Sequence, residues 1–454
     1  MIKKQIVPMM MMAAATAAAA QGTLNSGIER SNMNLEVKPG TDFFEYAAGG
    51  WMKAHPLTAE FSRYSQFDAL QEVNQQQMQD LINGLSTQKQ QKGSLGQKIG
   101  DLYNLAMDSV RLNKEGWGPL KSRLAMVDAV ADKAELMVVI AQLRRIGVPT
   151  MFGVYCGADI KDSEKNLVHI VQSGLSMGNR DYYLNDDEPT LKIRNAYKDY
   201  VKKLFVMVGN DGVLAEKKMQ SVLGIETRIA GPSYSSTQLR DVEGNYHKMT
   251  YGRLLSDYSG IDWGTFLWQL GYPAVSDVCV SQPEPIHEVE KIWAEASLED
   301  LKAYTTFKLV NDAASYLDDQ FRAVYFDFYS RTMSGAQQDR PRWKRAVGVV
   351  EAVLGEAVGK LYVEKYFPES SKKRMLELVK NLQTALGERI LAQEWMSDET
   401  KRQALEKLDA FYVKIGYPDK WMDYSGLVID DNLSFYENLC RASEFLHLHL
   451  LVLL

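Results

Sequence analysis

The strongest constraint on this chain is the recurrence of capped, helix-period apolar stripes. Residues Asp132–Ile146 (DKAELMVVIAQLRRI) are the clearest case. Asp132 is placed to cap the first turn, and Glu135, three residues on, can reach back to it. Leu136, Val139, Ile140, Leu143 and Ile146 share one face at a 3.6-residue period. Gly147 then supplies a left-handed stop, and Pro149 prevents continuation. Lys373–Leu391 repeats the pattern with Met375, Leu378, Val379, Leu382, Leu386 and Ile390. A third helix starts after Ser397, with Ala404, Leu405 and Leu408 inward. The fold class expected is mainly α.

One β-hairpin interrupts the helices. Thr150–Cys156 and Leu167–Gln172 are short β-rich runs, and the GADIKDSEKN between them is polar and turn-prone. His169 in the second run reads as a packed strand residue. Cys156, Cys279 and Cys440 are far apart, lack zinc-site spacing, and read as isolated buried thiols.

The first 20 residues read as an export signal. Lys3 and Lys4 form a positive start, Ile6 to Ala20 is apolar, and Ala17–Ala20 offers small residues for cleavage before Gln21. The apolar run is shorter than the roughly 20 residues of a membrane-spanning helix, so no stable membrane span is expected. Cleavage removes two lysines and no acid, taking the formal charge from −6 to −8. Such a chain has no long-range field favouring nucleic acid. The basic run Lys372, Lys373 and Arg374 reads as a solvated face, and Arg342-Trp343-Lys344 as helix packing with a charged rim.

A series of short marks runs through most of the mature chain. Pro39-Gly40-Thr41-Asp42-Phe43-Phe44, Ala47 to Trp51 and Pro56 open it, followed by Ser62-Arg63-Tyr64 and Phe67-Asp68. Gly174-Leu175 and Asn179-Arg180-Asp181-Tyr182-Tyr183-Leu184 come next. Arg240-Asp241, Asn245-Tyr246, Ile261-Asp262-Trp263, Pro341 to Arg345, Tyr366-Phe367-Pro368 and Trp395-Met396 complete it. In order and number these marks resemble the neprilysin and endothelin-converting-enzyme family of zinc endopeptidases, over about Asn34 to Glu444.

That resemblance implies a helical cap lobe and the incomplete start of a thermolysin-like catalytic lobe. It implies a family chemistry of zinc-polarised water, a glutamate base and oxyanion stabilisation acting on oligopeptides. It also implies roles for two residues. Arg63 matches the arginine that binds the substrate's C-terminal carboxylate, a task suited to two parallel guanidinium donors. Asp68 matches the aspartate that orients it.

The catalytic parts are not in these 454 residues. No His-Glu-x-x-His occurs, a motif that puts two imidazoles on one helix face beside a general base. In His287-Glu288-Val289-Glu290-Lys291 the fifth position is a cation, and the segment reads as a solvated helix face. Asn195-Ala196-Tyr197 has the letters of the family's substrate motif but comes far too early in its order. His55, His247, His447 and His449 complete no site. Arg180 to Tyr183 reads as a turn that packs its tyrosines. Zinc is therefore expected in the intact family and not on this chain, which has no catalytic residue to assign.

The organisation expected is a signal peptide (1–20), an N-terminal arm (21–40), a mostly helical region (41–410), the start of an incomplete catalytic lobe (411–444) and an aberrant apolar tail (445–454). A frameshift or premature stop explains the composition of that tail, FLHLHLLVLL. The reading is the N-terminal portion of an exported metalloendopeptidase, periplasmic or extracellular, inactive alone, with oligopeptides and a separate catalytic fragment as its candidate partners. Its rival is a non-catalytic helical module for peptide binding or assembly.

Overall fold

The computed structural model describes residues 28–272 and 275–451, so the signal-peptide expectation lies outside the described residues. The chain divides into two compact units, Met1–Gln66 and Phe67–Leu454.

In the first unit, Asp42 caps the helix Phe43–Ala54, its carboxylate accepting from the Glu45 N–H at 2.9 Å. The preceding arm is strapped to this helix. The Asn34 N–H donates to the Tyr46 carbonyl at 2.9 Å, and the Asn34 side-chain amide donates to Glu45 Oε1 at 2.8 Å. The close approach explains Gly50, where a methyl group would stand 2.3 Å from the Ser31 carbonyl oxygen.

The second unit is mostly helical and holds two apolar cores. In the larger, the helix Lys133–Arg145 buries Leu136, Val139, Ile140 and Leu143 against the helices Trp263–Leu270 and Leu298–Ala313, and Glu188–Met207 and Gly212–Ala230 pack on Leu298–Ala313 to extend the same core. Asp132 caps it as expected, accepting from the Glu135 N–H at 2.8 Å. The reciprocal arm differs by one residue, since Glu135 Oε2 accepts from the Ala131 N–H at 2.7 Å. Gly147 follows at φ +99°.

The smaller core gathers Met78 and Ile82, Ile99 and Leu102, Val347 and Val350, and Leu439, from the helices Gln66–Ser86, Leu95–Met107, Arg342–Tyr366 and Phe435–Leu451. Arg342–Tyr366 kinks at Leu354 (φ −121°, ψ 31°), and the Glu356 N–H donates to the Tyr424 hydroxyl at 3.3 Å. A protein group inserted into a helix ladder is a recognised cause of such bends.

The sheet is larger than the sequence indicates. β1 (Phe152–Asp159) and β2 (Asp162–Gln172) pair antiparallel, β4 (Asp277–Val280) lies parallel to β2, and β3 (Lys248–Thr250) pairs antiparallel with β4. The strand order is β1-β2-β4-β3. Most of the expected hairpin loop is therefore strand. The register runs through Ala158 and Asn166, then shifts at Ala158/Asp159 to match Asp159 with Asp162, leaving the exposed Ser163, Glu164 and Lys165 on β2 without register partners. Asp159 anchors that end, accepting from the Lys248 ammonium (2.9 Å), the Lys161 N–H (3.0 Å) and the Tyr246 hydroxyl (2.9 Å). The Lys248 hydrogen bond is the largest influence holding its carboxyl at about 2.

The other packing expectations resolve individually. His169 is buried in β2, stacked on Tyr155 with ring centroids 4.9 Å apart. All three cysteines are buried free thiols. Trp343 packs against the smaller core, and Lys344 pairs with Glu72 at 2.7 Å, a charged rim. Lys372 is a correction: it is not simply solvated, since its ammonium donates to the Tyr417 carbonyl at 2.9 Å and lies 4.2 Å from that ring. The segment from Phe445 to Leu451 continues a helix. Phe445 packs against the smaller core and Leu451 against the larger.

Candidate functional site

Arg63 lies in the first unit, exposed, in a bend after the helix Phe43–Ala54. Neighbouring aromatics fix that bend. Tyr64 stacks on Trp51 (centroids 6.1 Å), Phe61 meets Tyr64 edge-on (5.0 Å), and Trp51 stacks on His55 (4.5 Å). The family-like marks around Arg63 thus form an aromatic platform that sets where the guanidinium leaves the backbone. His55 is engaged there, with Nδ1 2.9 Å from the Trp51 carbonyl. Asp68 lies in the second unit, half-buried in the first turn of the helix Gln66–Ser86.

The segments that carry metal-type residues are occupied by other contacts. His287 stacks on Tyr258 at 4.4 Å, and its Nδ1 is 2.7 Å from Glu290 Oε2. Glu290 also accepts from the Gly260 N–H at 2.7 Å. Glu288 accepts from Arg228 Nε at 2.9 Å and Nη2 at 2.8 Å. The expectation of a solvated helix face is corrected here, because both glutamates are partly buried and paired. His447 contacts the Leu270 carbonyl through Nε2 at 2.7 Å, while His449 stacks on Phe445. Among the described residues, no group of three or more His, Cys, Asp or Glu side chains is arranged to hold a metal ion. The donor set present does not fit a catalytic zinc, which takes three protein ligands and an open position.

The Arg180 to Tyr183 segment belongs to a buried polar network. Glu226 is fully buried on the helix Gly212–Ala230. Its Oε2 accepts from the hydroxyls of Tyr183 (2.7 Å) and Tyr197 (2.5 Å). Its Oε1 accepts from Ser176 Oγ (2.7 Å) and the Lys308 ammonium (2.9 Å). Lys308 also donates to the Gly174 carbonyl at 2.7 Å and to Ser176 Oγ at 2.6 Å. Burial, and then the Glu226 charge, raise the Tyr183 and Tyr197 phenols well above their usual range, so both stay protonated and donate. Tyr197 is the tyrosine of Asn195-Ala196-Tyr197, which sits inside the helix Glu188–Met207 as a core residue.

Sequence reasoning missed Glu226 and Lys308. The available signal was an acid and a base at positions where apolar stripes call for core residues. Glu226 sits between Val222 and Ile229, and Lys308 between Phe307 and Leu309. The nearby cavity, lined by Met137, Ile140, Trp293, Tyr304 and Lys308, has a volume of about 20 Å³. That admits about one water and no peptide side chain.

One surface lacks a cover. The helix Glu369–Leu391 has no buried residue. Met375, Leu378, Leu382 and Leu386 are 41 to 61% exposed along one face, and Trp395 is 76% exposed just beyond its end. The stripe is helical as expected, but its outer half stays largely exposed. Val379 and Ile390 are half-covered, and a methyl on Gly387 would lie 3.6 Å from Leu405 of the helix Asp398–Asp409.

Comparisons with known proteins agree with this architecture. Residues 39–418 match the model for the N-terminal part of peptidase family M13. Endothelin-converting enzyme 1 from Cavia porcellus is 31% identical over 437 residues, which is 91% of this chain and 57% of that protein. Neprilysin-11 from Caenorhabditis elegans is 26% identical, with 89% and 51% covered. The crystal structure of the Mycobacterium tuberculosis zinc metalloprotease Zmp1 with an inhibitor superposes at a TM-score of 0.90. It is 34% identical, and the match covers 95% of this chain and 65% of Zmp1. The chain therefore spans little more than half the length of the curated relatives it matches.

Proposed function

Because this chain belongs to peptidase family M13, we propose that it is the N-terminal, substrate-enclosing portion of an exported zinc metalloendopeptidase acting on oligopeptides. By itself it does not hydrolyse peptides. The observation that carries this reading is the uncovered stripe Met375, Leu378, Leu382 and Leu386. An apolar helix face left in water is unfavourable at about 25 cal/mol per Å². The longer relatives contain the additional chain that could cover it. The catalytic segment that supplies the zinc site packs there and completes the enzyme.

In this reading Arg63 receives the peptide's free C-terminal carboxylate. Its aromatic platform restricts the backbone, and its planar fork offers two donors to two oxygens. Asp68 supports the same recognition. The cellular location that follows is outside the cytoplasm, periplasmic or extracellular.

Metal analysis after dialysis, together with a fluorogenic peptide assay on the isolated chain, tests the proposal. The expected result is no stoichiometric zinc and no chelator-sensitive turnover. One tightly held zinc per chain with chelator-sensitive cleavage would overturn it.

A further inference from the structure

The helices Glu188–Met207 and Gly212–Ala230 are joined by a short projecting turn. Val208 in the turn is buried, but on the flanking helix ends Val206 is 46%, Val213 84% and Leu214 41% exposed. The turn is built rigidly. The Asp211 carboxylate accepts from the N–H groups of Val213 (2.9 Å) and Leu214 (2.8 Å). Gly209 adopts φ +99°, and a methyl there would lie 4.0 Å from the Trp117 ring.

Lysines surround this tip. Lys121 lies 4.9 Å over the Trp117 ring and Lys218 5.6 Å over Phe205, while Lys203 and Lys217 are exposed on the two helices. Among the described residues, none of these four is in an ion pair. Of the nearby acids, Glu216 pairs with Lys202 at 2.8 Å, Glu115 pairs with Arg111 at 2.7 Å, and Asp211 caps its helix, while Asp300, which accepts from the Ser221 and Ser297 hydroxyls, feels the Lys217 charge without an ion pair. The tip thus carries lysines without ion pairs near protruding aliphatic groups, on a chain whose formal charge is −6.

We propose that this helix-turn tip docks on an anionic lipid surface. Aliphatic groups entering the headgroup boundary, flanked by lysines, are the pattern of peripheral membrane contact. Each lysine near a negative leaflet adds about 1 kcal/mol of attraction, or about fivefold in affinity. A projecting turn suits a planar surface better than it suits a groove-bound peptide.

Co-sedimentation of the full chain with phosphatidylcholine vesicles, with and without phosphatidylglycerol, tests this. Parent and variants carry the same N-terminus, so the apolar run Ile6–Ala20 contributes equally. The parent should bind the phosphatidylglycerol vesicles at least about tenfold more tightly, an effect that salt weakens. V213S/L214S and K203E/K217E should each remove that preference, while L378S/L382S on the uncovered stripe should leave it intact. Both tip variants replace exposed side chains, and circular dichroism verifies their fold. Equal binding to both vesicle types, binding unchanged in the tip variants, or loss confined to L378S/L382S would overturn the proposal. Full displacement of vesicles by polyglutamate, with V213S/L214S binding polyglutamate as well as the parent, would also overturn it in favour of an acidic polypeptide partner.

Discussion

The buried pair of Glu226 and Lys308 offers a quantitative test of what holds the larger core. The carboxylate and the ammonium, 2.9 Å apart, are 0% and 4% exposed. Lys308→Met removes the cation and leaves a buried carboxylate held by the hydroxyls of Ser176, Tyr183 and Tyr197. Breaking one side of a buried pair costs about 3–5 kcal/mol, and the three surviving hydrogen bonds place this case near about 3 kcal/mol. Glu226→Gln keeps the shape but leaves Lys308 with only the Gly174 carbonyl and Ser176 Oγ, at a cost of about 2–3 kcal/mol. In the double variant no uncompensated charge remains. Its cost should fall short of the sum of the single costs by about 1–3 kcal/mol. Urea unfolding of the four proteins by far-ultraviolet circular dichroism measures the cycle. Hydrogen exchange across residues 174–184 should rise in each single variant, because the network pins that segment. Additivity within about 0.5 kcal/mol would refute the argument that each charge is tolerated in the core because of the other.

Further expectations concern the site, the uncovered surface and pH. Supplied with a catalytic partner, Arg63→Met should weaken peptides with a free C-terminal carboxylate at least about tenfold more than amidated ones, as loss of a charge-assisted pair implies. Asp68→Asn should do so to a smaller extent, and equal effects on both substrate types would remove the assignment. L378S/L382S should convert a self-associating chain towards monomer in size-exclusion chromatography, since contiguous exposed apolar patches drive association. A parent that is already monodisperse would show that the stripe needs no cover. Burial pushes the Asp312 carboxyl up to about 6, with the Arg144 charge opposing it. The folded state then binds more protons than the unfolded state between roughly pH 4 and 6, so this group's contribution to stability falls as pH rises through that window. Asp312→Asn should flatten that slope in pH-dependent urea melts, and an unchanged slope would contradict the shift.

Elements whose causes are local can be read from the residues alone. Asp132, Glu135 and Gly147 bound one helix, Ser397 caps another, and the Leu136/Val139/Ile140/Leu143 face is buried as its spacing dictates. The order of short marks was sufficient to indicate the family, because those marks record packing constraints of a whole fold. The role proposed for Arg63 rests only on that resemblance, since nothing in a Ser-Arg-Tyr tripeptide implies a carboxylate ligand. The tertiary structure decided everything that depends on distant partners. It turned the polar GADIKDSEKN stretch largely into strand, because hydrogen bonds to β2 outweigh local turn preference. It recruited Asp277–Val280 as a parallel neighbour, which no periodicity in four residues can announce. It joined Tyr183, from the turn at Arg180 to Tyr183, to a buried latch around Glu226 and Lys308. It also separated two apolar stripes of similar pattern, burying Lys133–Arg145 and leaving Glu369–Leu391 open. The physical reason is that periodicity fixes which face of a helix is apolar, while only the arrangement of the other helices fixes whether anything lies against that face.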